Sequence, residues 1–230
     1  GNMDCTFDEL WQHVVDTHIL RRVEAHNSTA ARGKMVQKVV LIPALTDLHH
    51  HPVFPQFSFT LEVSYLKDLV VCAPNPALLR INGVLVGLTS VDPLKHMANA
   101  SLLQHAPDDP QFSRIREFAS LLIEQQSFLP LTPAPLDVSL DTRNLANTEF
   151  GDETPQILIV PSVLKEFVEP TNGCLVVNPS FLIRGGSGGG TFAEMTFFPK
   201  AQSDDTGGLA AMDVDSAGSF GVFKRVAVKL

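Results

Sequence analysis

Paired cysteines, long apolar runs and clustered positive charge are all missing from this 230-residue chain. Its three cysteines, Cys5, Cys72 and Cys174, are far apart and form no C-x-x-C pair. That pattern argues against a disulfide framework or a zinc ribbon, and for reduced thiols in an intracellular protein. No apolar stretch approaches the roughly 18 residues that a membrane-spanning helix needs. Lys and Arg number 17 against 25 Asp and Glu, a formal net charge of −8. Phosphate recognition needs clustered cations. The basic points here, Arg21 with Arg22, Arg32 to Lys38, and Lys224 with Arg225, are short. Any work near DNA is therefore expected to go through a protein partner. Gly1 to Thr6 does not read as a signal peptide. It starts without methionine, almost on a helix signal, as a segment of something longer would.

What is present is ordinary globular composition, 44% hydrophobic and 18% charged, over a length that can bury a core. Thr6 and Glu9 form a capping box, and Phe7, Leu10, Trp11, Val14, Val15, Ile19 and Val23 recur at helical spacing. This predicts a helix of about five turns, then a polar break from Asn27 to Gly33. Val36 to Pro43 reads as a buried strand ended by proline. Asn82-Gly83 marks a hairpin within Leu78 to Leu88. Helices are expected over Val91–His105, Ser113–Gln126 and Ser162–Glu169. Short strands are expected at Ile157–Val160, Cys174–Asn178, Thr191–Pro199 and Val222–Leu230. The segment 202–221 reads as an acidic, Gly-rich loop. Strands interleaved with helices give an α/β layered domain.

Several stretches mimic sites. Asp47, His49, His50 and His51 follow a strand end, where open α/β proteins place working residues. Successive side chains of an extended loop project to opposite sides, so at most His49 and His51, with Asp47, could meet one ion. A surface or partner-contacting loop fits the spacing better, and Pro52 to Phe59 supplies rigid apolar groups for such a contact. RGGSGGGT, Arg184 to Thr191, lacks the lysine of a phosphate loop and leads into a strand. Ser162 lacks the flanking glycines of a nucleophile elbow, and reads as a helix N-cap with Glu166 in the first turn. Asp108–Asp109 and Asp204–Asp205 read as solvated turns.

A longer, ordered set of segments is more specific. TFDEL at Thr6 is followed by VLIP at Val40, which runs through ALTDLHHHPVFPQ to Gln56. Then come Asn75-Pro76, ING at Ile81, GLTSVD at Gly87, Arg114-Ile115 and QQSFLPL at Gln125. ILIVPS at Ile157, CLVVNP at Cys174 and GTFA at Gly190 complete the set. Together they resemble the B (regulatory) subunits of the DNA polymerase α–primase complex, over nearly the whole chain. The resemblance implies a calcineurin-like phosphoesterase fold, a two-sheet sandwich flanked by helices, accompanied in such subunits by an oligonucleotide/oligosaccharide-binding fold. It further implies that residues 1–230 form the C-terminal part of that domain, lacking its first strands. An exposed sheet edge and poor solubility of the segment by itself are then expected.

Active relatives in this superfamily carry Gly-Asn-His-Asp, a lone His and Gly-His-x-His around two metals. The first motif falls on Ala44, Leu45, Thr46 and Asp47. The lone His falls near Leu88 to Ser90. The last falls on Pro161 to Leu164, with Ser162 and Leu164 in the histidine positions. The resemblance thus implies a noncatalytic subunit with no metal or other cofactor, acting in the nucleus during initiation of DNA replication. Its partner would be the C-terminal region of the polymerase α catalytic subunit, within the primase complex, and DNA would be contacted at most indirectly. Two rivals remain open: an active metal-dependent phosphoesterase using Asp47 and the histidines, and the corresponding accessory chain of polymerase δ or ε.

Overall fold

The computed structural model describes residues 6–48, 50–60, 69–100, 113–183, 190–199 and 223–229. It divides into two compact units, 1–75 and 76–230.

The first unit opens with the capping box read from the sequence: Thr6 Oγ1 accepts from Glu9 N, and Thr6 N donates to the Glu9 carboxylate at 2.8 Å. Helix α1 (Phe7–Val14) continues through a π-helical stretch (Val15–Leu20) into α2 (Arg21–Thr29). The run is longer than five turns, and the π stretch changes which face is buried. A π turn takes an extra residue, so Val15 and Leu20, five apart, both become fully buried, while Ile19 is only half-buried. With Val70 they form a small core that Trp11, Val39 and Leu41 complete. Strands β1 (Val39–Leu41) and β2 (Val70–Cys72) pair in parallel, Val39 opposite Val70. The expected buried strand over Val36–Pro43 is therefore shorter and less covered, since its central Val40 is exposed. The Asn27 carboxamide closes the preceding loop by bonding both N and O of Val36.

The second unit is built on a five-stranded mixed sheet of order β3-β4-β5-β7-β6. Its strands are β3 (Ala77–Ile81), β4 (Val84–Leu88), β5 (Ile157–Ile159), β6 (Phe167–Thr171) and β7 (Cys174–Asn178). Strands β4, β5 and β7 are parallel, so Leu88, Ile159 and Val177 lie in one row near their C-terminal ends. The β3–β4 hairpin turns at Asn82-Gly83, both at positive φ, as the Asn-Gly signal predicts.

A second hairpin, β6–β7, turns at Asn172-Gly173 in the same way, where the sequence predicts a helix from Ser162 to Glu169. Phe167 to Glu169 pair with β7 instead of completing that helix, and Pro170 is tolerated because on an edge strand its missing N–H costs nothing. Helices α3 (Pro93–Ala100) and α4 (Arg114–Glu124) form another layer. Ser113 caps α4 by accepting from Arg116 N, and α4 is tied to β6 by an Arg116–Glu169 ion pair at 2.7 Å. The remainder of the Val91–His105 expectation lies outside the described residues.

Strand alternation gives the sheet two apolar faces. Val84, Val86, Ile157, Leu175 and Val177 form one, against which Ala193, Met195 and Phe197 pack. The last two belong to β8 (Glu194–Pro199), which pairs antiparallel with β9 (Phe223–Lys229). On the opposite face Gly87 is in close approach to neighbouring side chains. A Cβ there would lie 3.0 Å from Leu158 Cδ1 and 3.3 Å from the Phe128 ring. The architecture is α/β with mixed sheets, as the interleaved pattern predicts. The segment 202–221 and the loop from Arg184 to residue 189 lie outside the described residues.

Candidate functional site: two strand ends held by side-chain amides

In the first unit the chain leaving β1 turns at once. The Asp47 carboxylate accepts from Ala44 N at 2.7 Å, while Asp47 N donates to Ala44 O at 3.0 Å. Asp47 thus acts locally as a turn clasp. Leu45 is half-buried and presents only hydrocarbon, and Thr46 is exposed.

The loop that follows is held by Gln56, which is buried. Its Nε2 donates to the carbonyls of Ala44 and His51, both at 3.1 Å, and its Oε1 accepts from Asn75 Nδ2 at 2.9 Å. Main-chain bonds in both directions between Gln56 and Asn75 complete the clamp. The amide can supply two protons, and the two carbonyls use them. His50 Nδ1 lies 3.3 Å from the same amide nitrogen and 3.4 Å from the His51 carbonyl.

His50 also packs edge-on against Phe59, which in turn meets Trp11 at 4.5 Å between ring centroids. His50 and His51 line an open, polar cleft of about 700 Å³ with Thr6, Asp8, Glu9 and Gln12. Among the described residues no three His, Cys, Asp or Glu side chains gather as a metal cage; His49 lies outside them. The stretch Pro52–Phe59 departs from its expected role as a contact surface. Phe54, Pro55, Gln56 and Phe59 are buried, Val53 is half-buried, and only Pro52 and Phe57 among its apolar residues are exposed.

In the second unit the segments that follow β5 and β7 converge on one buried carboxamide. Asn178 Oδ1 accepts from Ser162 N at 2.9 Å and Ser180 N at 2.8 Å. Its Nδ2 donates to Leu164 O and Lys165 O at 3.3 and 3.1 Å. Asp92, at the start of α3, accepts from Val163 N with one oxygen and from Lys95 N with the other, each at 2.9 Å. Thr89 Oγ1 accepts from Val91 N.

Ser162, expected as a helix N-cap, is fully buried in a non-helical turn, where its Oγ accepts from Leu164 N at 3.2 Å. The reason is competition. The carbonyls of Leu164 and Lys165, which a helix would bond to amides four residues on, accept instead from Asn178 Nδ2, and the chain from Phe167 onward pairs with β7. Ser180 is held at φ 57, a region non-glycine residues seldom occupy. The accepting oxygen of Asn178, two residues back, holds it there.

Sequence reasoning misses Gln56, Asn75, Asp92 and Asn178. Each stands beside a strand end or a proline, and a buried polar side chain near such chain breaks is the signal that marks them.

Two cysteines fall within the described residues, and both are free. Burial pushes the Cys174 thiol up to about 12, against a small opposing pull from a backbone hydrogen bond at Leu158. Burial also raises Cys72.

A sequence profile of the family described as the B subunits of DNA polymerases alpha and epsilon matches residues 22–169, which include the Ala44–Gln56 segment, Asp92 and Ser162 but not Asn178. The chain is similar to the DNA polymerase alpha B subunit of Mus musculus, 35% identical over 76% of this chain and 29% of the relative. It is also similar to that of Schizosaccharomyces pombe, 31% identical over 72% and 29% respectively. For the Saccharomyces cerevisiae protein of the same name the identity is 27%, over 83% of the chain and 30% of the relative. The chain thus spans under a third of the length of these relatives. On the profile match, which covers well over half of its residues, the chain belongs to the family of DNA polymerase alpha/epsilon B subunits.

Proposed function

We propose that this chain is part of a noncatalytic accessory subunit of the DNA polymerase α–primase complex. In this reading residues 1–230 are the C-terminal part of an inactivated calcineurin-like phosphoesterase domain. The subunit works in the nucleus and holds the C-terminal region of the polymerase α catalytic subunit during initiation of replication. The names of the relatives support the polymerase α assignment, and the net charge of −8 favours protein docking over direct DNA contact.

The observation that carries the noncatalytic reading is the donor chemistry at the strand ends. A two-metal phosphoesterase centre needs imidazole, carboxylate and carboxamide ligands directed at the ions. At the positions the family likeness assigns to such ligands stand Leu45, Ser162 and Leu164. Leucine has no donor atom. Ser162 is fully buried, with its hydroxyl oxygen and its N–H engaged in the turn. Asp47, the remaining carboxylate of the set, is engaged at Ala44 N. These residues do not fit a metal pair.

The test is a phosphodiesterase assay of the full chain with added Mn²⁺, using a chromogenic diester. The expected result is background turnover, unchanged in Asp47→Asn. Activity above background that is lost in Asp47→Asn would replace the scaffold reading with a phosphoesterase.

A further inference from the structure

Beyond the buried carboxamide, the C-terminal ends of β5 and β7 carry large apolar side chains pointing into solvent. Val163 is 54% exposed, Phe181 43%, Leu182 69%, Ile183 84% and Phe192 65%. They are presented by fixed backbone. Asn178 Oδ1 binds the amides of Ser162 and Ser180 together, which holds the segments that carry Val163 and Phe181 at one strand end. Thr191 then ties its own segment to the same strand end: Thr191 N donates to Phe181 O at 2.9 Å, and Thr191 Oγ1 to Pro179 O at 2.7 Å. Gly190 lies so close to the Leu182 carbonyl that a side chain there would collide with it. Alternation along the following strand turns Ala193, Met195 and Phe197 into the core and leaves Phe192 and Glu194 outside.

The five side chains offer on the order of 500–600 Å² of apolar surface, at the upper end for a monomer's largest patch. A polar rim brings this near the roughly 800 Å² per partner of a standard interface. Small-molecule pockets are concave, and this surface is convex apolar side chains, which suits another protein.

Charge narrows the choice of partner. A second copy would bring a net charge of −8 against −8, which opposes self-association. Anionic lipid headgroups meet the same repulsion. A basic segment gains instead, with Glu194 exposed beside Phe192.

We propose that Val163, Phe181, Leu182, Ile183 and Phe192 form the platform on which a protein segment docks. The segment carries aliphatic or aromatic side chains flanked by Lys or Arg, and the C-terminal region of the catalytic subunit supplies it. The last clause rests on the accessory-subunit reading above. Truncating exposed hydrophobic anchors at such a surface removes a large share of binding energy.

The test uses titration calorimetry to measure how the full chain binds the C-terminal region of the polymerase α catalytic subunit. Leu182→Asp, Phe192→Asp and Ile183→Lys are compared with Leu136→Asp, a control at another fully exposed leucine. Thermal unfolding of each variant reports its fold, and Leu182→Ser replaces any variant that melts early. The platform variants are expected to weaken binding at least tenfold, Leu136→Asp less than twofold, and added salt to weaken the wild type. If the wild type binds and the platform variants bind within twofold of it, the platform is overturned and the accessory reading stands. If the wild type does not bind, the accessory reading itself fails. Sedimentation of the free chain completes the set: dimers abolished by Leu182→Asp would assign the platform to a second copy and overturn the proposal.

Discussion

Replacing Asn178 by alanine should damage the second unit far more than the loss of one polar side chain suggests. The carboxamide is fully buried and makes four hydrogen bonds to main chain. Alanine fills none of that role. The amides of Ser162 and Ser180, both buried residues, would lose their acceptor together. Leaving a buried donor unsatisfied costs about 1–3 kcal/mol, so the pair costs about 4 kcal/mol. The carbonyls of Leu164 and Lys165 add little, because those residues are partly or fully exposed and water can replace the amide. Against a total stability of about 5–15 kcal/mol this is a large fraction. At roughly 2–4 °C per kcal/mol for a domain of this size, melting should fall by about 8–16 °C. Scanning calorimetry of the full chain reads the shift, and hydrogen exchange reads its location, with the Ser162 and Ser180 amides losing protection first. A loss below about 1 kcal/mol, within the range of a single ordinary hydrogen bond, would refute the idea that one side chain organises this strand end.

Other outcomes follow from the same geometry. Gly87→Ala should cost about 1–3 kcal/mol by overpacking against Leu158 and Phe128, seen as a lower urea midpoint. Gly173→Ala, at φ +76 in the β6–β7 turn, should cost about 1 kcal/mol by strain alone, since nothing crowds the added methyl; the same urea titration reads it. Cys174 should resist thiol reagents in the folded state at pH 8 and react after denaturation. Its thiol also sets a pH dependence. Burial lifts its pKa in the folded chain to about 12, above the ordinary thiol value of 9.0. The thiol therefore contributes stability that is complete below pH 9 and lost as pH rises toward 12. Chemical denaturation of Cys174→Ala against wild type across that window measures this, and equal slopes would contradict it. Breaking the exposed Arg116–Glu169 pair with Arg116→Ala should cost under about 1 kcal/mol in the same denaturation assay.

Local signals are legible wherever the chain's own neighbours decide its conformation. The capping box at Thr6 and Glu9 and the Asn82-Gly83 turn each bond within a few residues, and both form as the sequence predicts. The errors occur where distant groups intervene. Ser162 to Glu166 has a respectable helix start, but Asn178 captures the carbonyls of Leu164 and Lys165 from 14 and 13 residues away, and β7 pairs with the chain from Phe167 onward. The Asn172-Gly173 turn carries the same dipeptide as the first hairpin, but the helix-like stretch beside it masks the strand that the turn serves. In the first unit the π stretch shifts burial from Ile19 to Leu20, and periodicity at 3.6 residues cannot signal such an insertion. The histidines after β1 stand out by residue type, whereas Gln56 and Asn75 hold the loop, and an amide pair 19 residues apart leaves no spacing pattern. Family membership is legible because it rests on ordered segments rather than on any one contact.

The proposed role of this chain is to serve polymerase α as a binding subunit. It is tested most directly by co-purifying the full chain with the C-terminal regions of the α, δ and ε catalytic subunits, offered in competition. A one-to-one complex with the α region, to the exclusion of the other two, is expected. A stable complex with the δ or ε region in preference to α, or with none, would contradict it.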